Sequence, residues 1–216
     1  MQDKLSELGI KYGTDKASHH QFTPFYNSVL EKHREEFTNV MEIGILTNAS
    51  LKMWEEYFPN ANIVGVDNEV REEHKTDRTS IFLADQSQPH QLERVIDLTT
   101  KEYDMILDDG SHLAPHQYIS WATLFKYIKP GGYYIIEDLH CNYFPKWPMW
   151  RDNNVIITPL EAVSTLRAEL SGDDEVFRYQ YISDEDAAYI KEHTESVEIF
   201  DRTGEYDSIT CIIRKK

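Results

Sequence analysis

Two apolar runs, at 103–107 and 133–136, each end in a pair of adjacent acids. The acids are Asp108 and Asp109 after the first run, and Glu137 and Asp138 after the second. Continuous apolar runs of this length are typical of buried strands in a parallel sheet, whose carboxyl ends lie at one edge. Neighbouring strands lie about 4.8 Å apart, so we expect the two pairs to converge on one cation. The alternative is that these acids cap the helices that follow.

The rest of the chain alternates short apolar runs with amphipathic stretches. Strands are predicted at 40–45, 63–67, 81–87, 105–107, 133–136, 177–182, 197–200 and 208–213. Helices are predicted at 2–10, 50–58, 91–98, 116–128, 159–170 and 184–193, with a turn at 130–132. Strands that alternate with helices indicate an α/β fold, a parallel sheet covered on both faces. The last two strands resemble an appended antiparallel hairpin.

The first strand, helix and second strand form a unit that is typical of nucleotide binding. Asp67 ends the second strand about 20 residues after Gly44, which is where such units place a carboxylate for ribose hydroxyls. The glycine pattern alone is a weak signal, because only Gly44 remains of a multi-glycine loop. The combination of strand, glycine turn, helix and terminal acid is more specific.

Composition excludes several classes of partner. The chain has 216 residues, 40% of them hydrophobic, which suits one domain with one core. Its net charge of −16 argues against nucleic acid and anionic membranes as partners. No apolar run approaches the roughly 20 residues of a membrane span, so we expect a cytoplasmic protein. Cys141 and Cys211 are the only cysteines, and we interpret both as ordinary thiols.

Five segments, in this order, resemble class I S-adenosylmethionine-dependent methyltransferases, specifically the metal-dependent sugar O-methyltransferases of the mycinamicin type. The segments are Tyr12-Gly13-Thr14-Asp15-Lys16, Glu42-Ile43-Gly44, Gly65-Val66-Asp67, Asp85-Gln86-Ser87, and Asp108-Asp109-Gly110-Ser111-His112 with Ile136-Glu137-Asp138-Leu139. The resemblance covers about residues 11–145. It implies a Rossmann-like, doubly wound, mostly parallel seven-stranded sheet with an antiparallel C-terminal strand. We expect one domain over 1–216, with a helical cap at 1–36, a core at 37–216 and a substrate loop at about 139–156.

The resemblance also implies a role for each matched residue. Residues beside S-adenosylmethionine would be Asp15, Glu42, Gly44, Asp67, Asp85, Gln86 and Asp108. Asp109, Glu137 and Asp138 match the magnesium-binding acids, and His112 matches the proposed general base. In the substrate loop, Tyr143 and Trp147 are the candidate substrate contacts. The family often has a second glycine after Gly44, where this chain has Asn48, a residue that tolerates left-handed backbone angles.

These residues suit methyl transfer to a hydroxyl. Two neighbouring hydroxyls can chelate a divalent cation, which lowers the pKa of a hydroxyl and fixes its position. A carboxylate site without cysteine favours Mg²⁺, with Mn²⁺ as the alternative. His112, with an ordinary pKa near 6.5, is suited to accept the proton, and its alternative role is a fourth metal ligand.

The function that we expect is Mg²⁺-dependent O-methylation of a sugar hydroxyl on a glycan or glycoconjugate. Three alternatives stay open: methylation of a catechol or other small vicinal diol, a non-catalytic cofactor-binding domain, and a nicotinamide-dependent oxidoreductase. The expected partner is a small-molecule or glycan acceptor. A homo-oligomer, or a place within a longer multidomain polypeptide, is compatible with the sequence.

Overall fold

A seven-stranded mixed sheet forms the centre of the molecule. The computed structural model describes residues 2–69, 74–142, 148–204 and 207–216. In this part of the chain the strands are β1 (Asn39–Ile43), β2 (Asn62–Asp67), β3 (Thr79–Leu83), β4 (Tyr103–Asp108), β5 (Ile128–Ile136), β6 (Thr194–Asp201) and β7 (Ile209–Lys215). Their spatial order is β3-β2-β1-β4-β5-β7-β6. Strands β1 to β5 pair in parallel, and β7 is antiparallel to both of its neighbours, β5 and β6. The predicted fold class is confirmed.

Helices cover both faces of the sheet. They are α1 (Lys4–Tyr12), α2 (Asp15–Ser18), α3 (Thr23–Leu30), α4 (Ala49–Tyr57), α5 (Pro89–Leu98), α6 (Ala114–Leu124), α7 (Pro159–Leu170) and α8 (Asp184–His193). Side chains of α1, α3 and α4 share one buried core with the sheet, and those of α5 to α8 share the other. Alternation along the strands supplies both cores. In β4, for example, Ile106 faces one and Leu107 the other.

The N-terminal helices begin and end where local signals place them. The Asp3 side chain accepts a hydrogen bond from Ser6 N at the start of α1, and Gly13, with φ of 77°, ends this helix in the left-handed region. That 1–36 forms a cap on a core of 37–216 stays a prediction. In the described ranges, no helix combines the length and the apolar composition that crossing a bilayer requires.

Two sequence predictions are wrong, the turn at 130–132 and the strand at 177–182. Residues 130–132 lie within β5 and do not form a separate turn, because this strand begins opposite Tyr103 and its register shifts before Met105. Such irregularities are where a strand accepts proline and glycine. No strand forms at 177–182, although the aromatic alternation there is typical of one.

Side chains of α7 explain why 177–182 does not join the sheet. Phe177 N donates to Glu169 Oε2 over 2.7 Å, and Arg178 N donates to Thr165 Oγ1 over 3.0 Å. The backbone donors that a neighbouring strand would use therefore bond to helix side chains.

Candidate active site

Two adjoining cavities open at the carboxyl ends of β1, β2 and β4. The larger has a volume of about 520 Å³, and the smaller about 230 Å³. Gly44, Asp67 and Gly110 line both. A crevice at the carboxyl ends of parallel strands is the usual ligand site of such sheets.

The loops after β1 and β4 touch each other at Gly44. This residue has φ of 83°, and a Cβ built on it would lie 2.0 Å from the Asp109 carbonyl oxygen. No side chain fits there, so glycine is required on both conformational and steric grounds. Asn48 adopts φ of 61°, which confirms that it accepts the left-handed conformation.

Asp67 holds the same loop from the second strand. Its Oδ2 accepts hydrogen bonds from Ile45 N at 2.9 Å and Leu46 N at 3.3 Å. The carboxylate thus fixes the loop after β1 while it lines both cavities.

A buried lysine lies among the strand-end acids. Lys16 is 1% exposed, and its Nζ lies 3.2 Å from Glu42 Oε1 and 3.2 Å from Glu137 Oε2. It also forms an ion pair with Asp109 Oδ2. Burial alone would lower the pKa of Lys16, but the surrounding carboxylates raise it well above its ordinary value. Lys16 is therefore a fixed positive charge shared by acids from β1, β4 and β5.

One lysine does not neutralise this group of acids. Burial, together with the neighbouring carboxylates, holds the pKa of Glu137 well above its ordinary value despite Lys16. Burial likewise raises the pKa of Glu42 to about 7. Tyr26 donates a hydrogen bond to Glu137 Oε1 over 2.9 Å, so the N-terminal helices supply both polar partners of this acid.

His112 and Asp138 form the second half of the site. Asp138 Oδ2 lies 2.6 Å from His112 Nδ1, and His112 Nε2 lies 3.9 Å from Asp109 Oδ1. Burial alone would lower the pKa of His112, yet the Asp138 hydrogen bond and charge raise it to about 11. The same contact outweighs burial at Asp138 and holds its pKa below the ordinary value. Both residues have a left-handed backbone, with φ of 61° and 56°, which aims the two side chains at each other.

Asp138 Oδ1 is a buried oxygen without a hydrogen-bond partner among the described residues. His20 Nδ1 and His140 Nδ1 lie 3.8 Å and 3.7 Å away, beyond hydrogen-bond distance. A buried acceptor left unpaired is costly, and such atoms commonly mark a ligand position. The Asp138 carboxylate therefore has one oxygen available to a hard divalent cation.

Asp108 lies beneath the site and does not line either cavity. Gln86 Nε2 donates to both of its oxygens, over 2.6 and 2.7 Å, and Ser120 Oγ donates to Oδ2. Gln86 Oε1 also accepts from Ser111 N, so it ties the loops after β3 and β4 together. The proposed cofactor contact of Asp108 stays a prediction. Its carboxylate is already bonded within the protein, which favours a positioning role.

The other predicted site residues lie in four different places. Asp15 lines the larger cavity, Asp85 and Gln86 line the smaller, and Glu42 lies behind Lys16. Tyr143 and Trp147 lie outside the described residues. Helix capping by the strand-end acids of β4 is wrong, because α6 begins after Leu113 without a side-chain cap.

Lys16, Tyr26 and Trp150 are site residues that sequence reasoning did not assign. Trp150 stacks on His112 with ring centroids 5.4 Å apart. The signal for Lys16 was present, since it closes the first of the five matched segments. Tyr26 has no comparable signal, because an aromatic residue in an amphipathic helix is most simply a core residue.

Solved structures with the same fold include the MycE methyltransferase of the mycinamycin biosynthetic pathway, in complex with Mg, SAH and mycinamycin VI. The two chains superpose with a TM-score of 0.79 and 25% sequence identity, over 99% of this chain and 55% of that one. Together with the sheet order and the strand-end acids, this likeness defines the fold as that of a class I methyltransferase.

Curated relatives narrow the class. The tetracenomycin-C rhamnosyl 2'-O-methyltransferase of Streptomyces olivaceus is 34% identical over 148 residues, which are 65% of this chain and 39% of that protein. Mycinamicin VI 2''-O-methyltransferase of Micromonospora griseorubida is 34% identical over 149 residues, 65% of this chain and 37% of that protein. The chain is a homologue of these macrolide and tetracenomycin sugar O-methyltransferases, and it spans less than two fifths of their length. No protein-family model matches it.

Proposed function

We propose that this chain transfers a methyl group from S-adenosylmethionine to a sugar hydroxyl of a small molecule or glycoconjugate, with Mg²⁺ as cofactor. One observation carries the proposal: acids from neighbouring strands converge around Lys16, and Asp138 orients His112 at the wall of the 520 Å³ cavity. The sugar O-methyltransferases to which the chain is related support the acceptor class, and the MycE complex with Mg and SAH supports the cofactors.

The two cavities would hold the methyl donor. Asp67 and the glycine turn at Gly44 would lie at its ribose and methionine parts, and Asp85 with Gln86 would lie near its adenine. Asp15, in α2, lines the larger of the two cavities. The donor supplies an activated methyl group, and the contribution of the protein is to align the acceptor oxygen behind it.

Asp109, Glu137 and Asp138 are the acids that would hold Mg²⁺. The unpaired Asp138 Oδ1 and the incompletely neutralised acids fit a hard cation. When bound, such an ion polarises a hydroxyl and fixes its position. Lys16 is then a positioning residue, since it orients Asp109 and Glu137 through ion pairs.

His112 is the residue that we propose as general base. The Asp138 charge that raises its pKa would be offset when Mg²⁺ is bound, so that the ring can then lose its proton and act as a base. Asp138 engages Nδ1, so Nε2 is the ring atom left to face the acceptor. Trp150 packs on the ring and limits its rotation. Asn142 Nδ2 donates to the His112 carbonyl oxygen over 2.8 Å, which fixes the left-handed backbone that aims the side chain.

The proposal is tested by methyl transfer from radiolabelled S-adenosylmethionine to a panel of deoxysugar glycosides and catechols. We expect transfer to the glycosides that is lost with EDTA and restored by Mg²⁺. Activity that survives chelation would contradict the metal-dependent chemistry, and transfer to catechols alone would reassign the acceptor.

A second experiment isolates His112. His112→Ala should keep binding of S-adenosylmethionine, measured by calorimetry, and lose turnover by at least about 100-fold, the usual scale of general-base catalysis. Loss of donor affinity instead would place His112 in the cofactor site.

A further inference from the structure

Cys141 lies beside the proposed base. A turn in which Cys141 N donates to the Asp138 carbonyl oxygen over 3.0 Å brings its thiol under His112. Cys141 Sγ lies 3.8 Å from His112 Nδ1, and the donor atoms of His112, Asp138 and Cys141 all lie within 4.8 Å of one another. Cys141 is 2% exposed, so this sulfur is held within the site wall.

We propose that His112, Asp138 and Cys141 form a second, softer metal site, which takes a thiophilic divalent cation such as Zn²⁺. Thiolate sulfur, imidazole nitrogen and carboxylate oxygen are the ligands of zinc, which binds at about 2.0–2.3 Å with tetrahedral geometry. Ligands of such a site lie roughly 3.3–3.8 Å apart. The distance from Cys141 Sγ to His112 Nδ1 is already in this range.

A modest local change would complete the site. The contact of 2.6 Å between His112 Nδ1 and Asp138 Oδ2 must open to admit an ion. His140 Nε2, 3.7 Å from Cys141 Sγ, or a water would supply the fourth ligand. Binding replaces protons on the Cys141 thiol and on His112 Nδ1, which are released to solvent.

Occupancy of the soft site has a defined consequence, which rests on the proposed function. It occupies the ring nitrogen through which Asp138 orients His112, and it takes Asp138 from the acids that would hold Mg²⁺. The bound ion therefore inhibits methyl transfer by competing for a shared ligand. Since Mg²⁺ avoids sulfur and Zn²⁺ favours it, the two sites differ in ligand softness although they share Asp138.

The chain provides a matched control. Cys211, the other cysteine, is fully buried in β7 and pairs with Ile136 in the sheet. Cys141→Ser and Cys211→Ser therefore make the same chemical change, the replacement of a thiol sulfur by a hydroxyl oxygen. The first makes it inside the proposed site and the second outside it.

Metal binding is measured on tag-free protein, without any acceptor. Zn²⁺ titration by calorimetry and Co²⁺ titration by absorption should show one site, with a sulfur-to-cobalt charge-transfer band. Cys141→Ser should lose that band and at least about 100-fold in Zn²⁺ affinity, whereas Cys211→Ser should keep both. An unchanged affinity in Cys141→Ser, or a Co²⁺ spectrum without thiolate character in the unmodified protein, would overturn the soft site.

The functional arm uses any acceptor that the methyl-transfer panel supplies. Zn²⁺ should inhibit the Mg²⁺-supported rate, and the Zn²⁺ concentration for half inhibition should rise by at least about 100-fold in Cys141→Ser and stay unchanged in Cys211→Ser. Equal inhibition of both variants contradicts the proposal. Failure of the proposed function would leave no methyl transfer to inhibit, but the thiolate-bound Co²⁺ spectrum would still be seen.

Discussion

Each end of the central sheet contains a buried or partly buried lysine that pairs with carboxylates. The ratio of carboxylates to their hydrogen-bond donors differs between the two ends. At the amino end, Asp104 is one carboxylate with many partners: it accepts from Thr38 N at 2.7 Å, Asn39 N at 2.8 Å and Lys129 Nζ at 2.9 Å. At the carboxyl end, Lys16 faces three acids, and Asp138 Oδ1 close by is unpaired. At the amino end, the negative charge of Asp104 is balanced by its hydrogen-bond donors and by Lys129. At the carboxyl end, the acids carry more negative charge than Lys16 can balance, which leaves a position for a positively charged ligand.

The difference teaches how to separate a structural acid from a functional one. A carboxylate whose hydrogen bonds are complete contributes to stability, because folding lowers the free energy of its charged form. Carboxylates that crowd each other in a buried place cost stability and are retained for what they bind. Neutralising an acid should therefore cost more stability at the amino end of the sheet than at the carboxyl end.

Lys16→Met should produce the largest effect. It leaves buried acids without their positive charge, and breaking a buried ion pair in this way costs about 3–5 kcal/mol. Mg²⁺ should recover more stability in this variant than in the unmodified protein, because the ion supplies the missing charge. Urea unfolding with and without Mg²⁺ measures both quantities.

Lys11→Met is the control for that experiment. Lys11 pairs with Glu56 on the surface, where its side chain is 54% exposed, so the free energy of unfolding should stay close to that of the unmodified protein. Equal destabilisation of the two variants would mean that Lys16 has no special place in the site.

Glu137→Gln should separate binding from stability. Divalent-cation affinity, measured by calorimetry with Mn²⁺, should fall by at least about 100-fold. The free energy of unfolding should fall by less than about 1 kcal/mol or rise, because burial makes the ionised form of Glu137 unfavourable and its pKa is raised. A large loss of stability with unchanged Mn²⁺ affinity would reverse the comparison.

Asp104→Asn should give the complementary result at the amino end. Backbone donors of β1 lose a charged acceptor, so stability should fall by about 2 kcal/mol while Mn²⁺ affinity stays unchanged. Asp97→Asn is the matched control, since Asp97 pairs with Lys101 on the surface and is 68% exposed. Its effect should be smaller than about 0.5 kcal/mol.

The pH dependence of the Asp104 effect is the smallest of these expected changes. Burial alone would raise the pKa of Asp104, but Lys129 and the backbone donors of Thr38 and Asn39 hold it below its ordinary value. A lowered folded-state pKa contributes stability above the unfolded pKa that is lost as the pH falls through the folded one. The difference in unfolding free energy between the unmodified protein and Asp104→Asn should therefore shrink below about pH 4. A difference that grows on acidification would show the opposite sign of linkage.

Sequence reasoning found the acids and missed what surrounds them. Asp109 and Glu137 could be placed together because buried runs predict parallel strands, and the ends of neighbouring strands meet. Lys16 stood in the first matched segment but was given no role, since lysine is rarely buried and a four-residue helix carries little periodic signal. The predicted strand at 177–182 was wrong for the converse reason, because alternation describes side chains while hydrogen bonds to α7 decided the backbone.

Lys16 and Tyr26 are 121 and 111 positions away in the chain from Glu137, the acid that they share. During synthesis α2 and α3 leave the ribosome long before β5 exists, so the site cannot assemble until the chain has emerged beyond Glu137. Deleting α1 to α3 would remove Lys16 and leave the buried acids at the sheet without their positive charge. We therefore expect these helices and the sheet to fold as one unit.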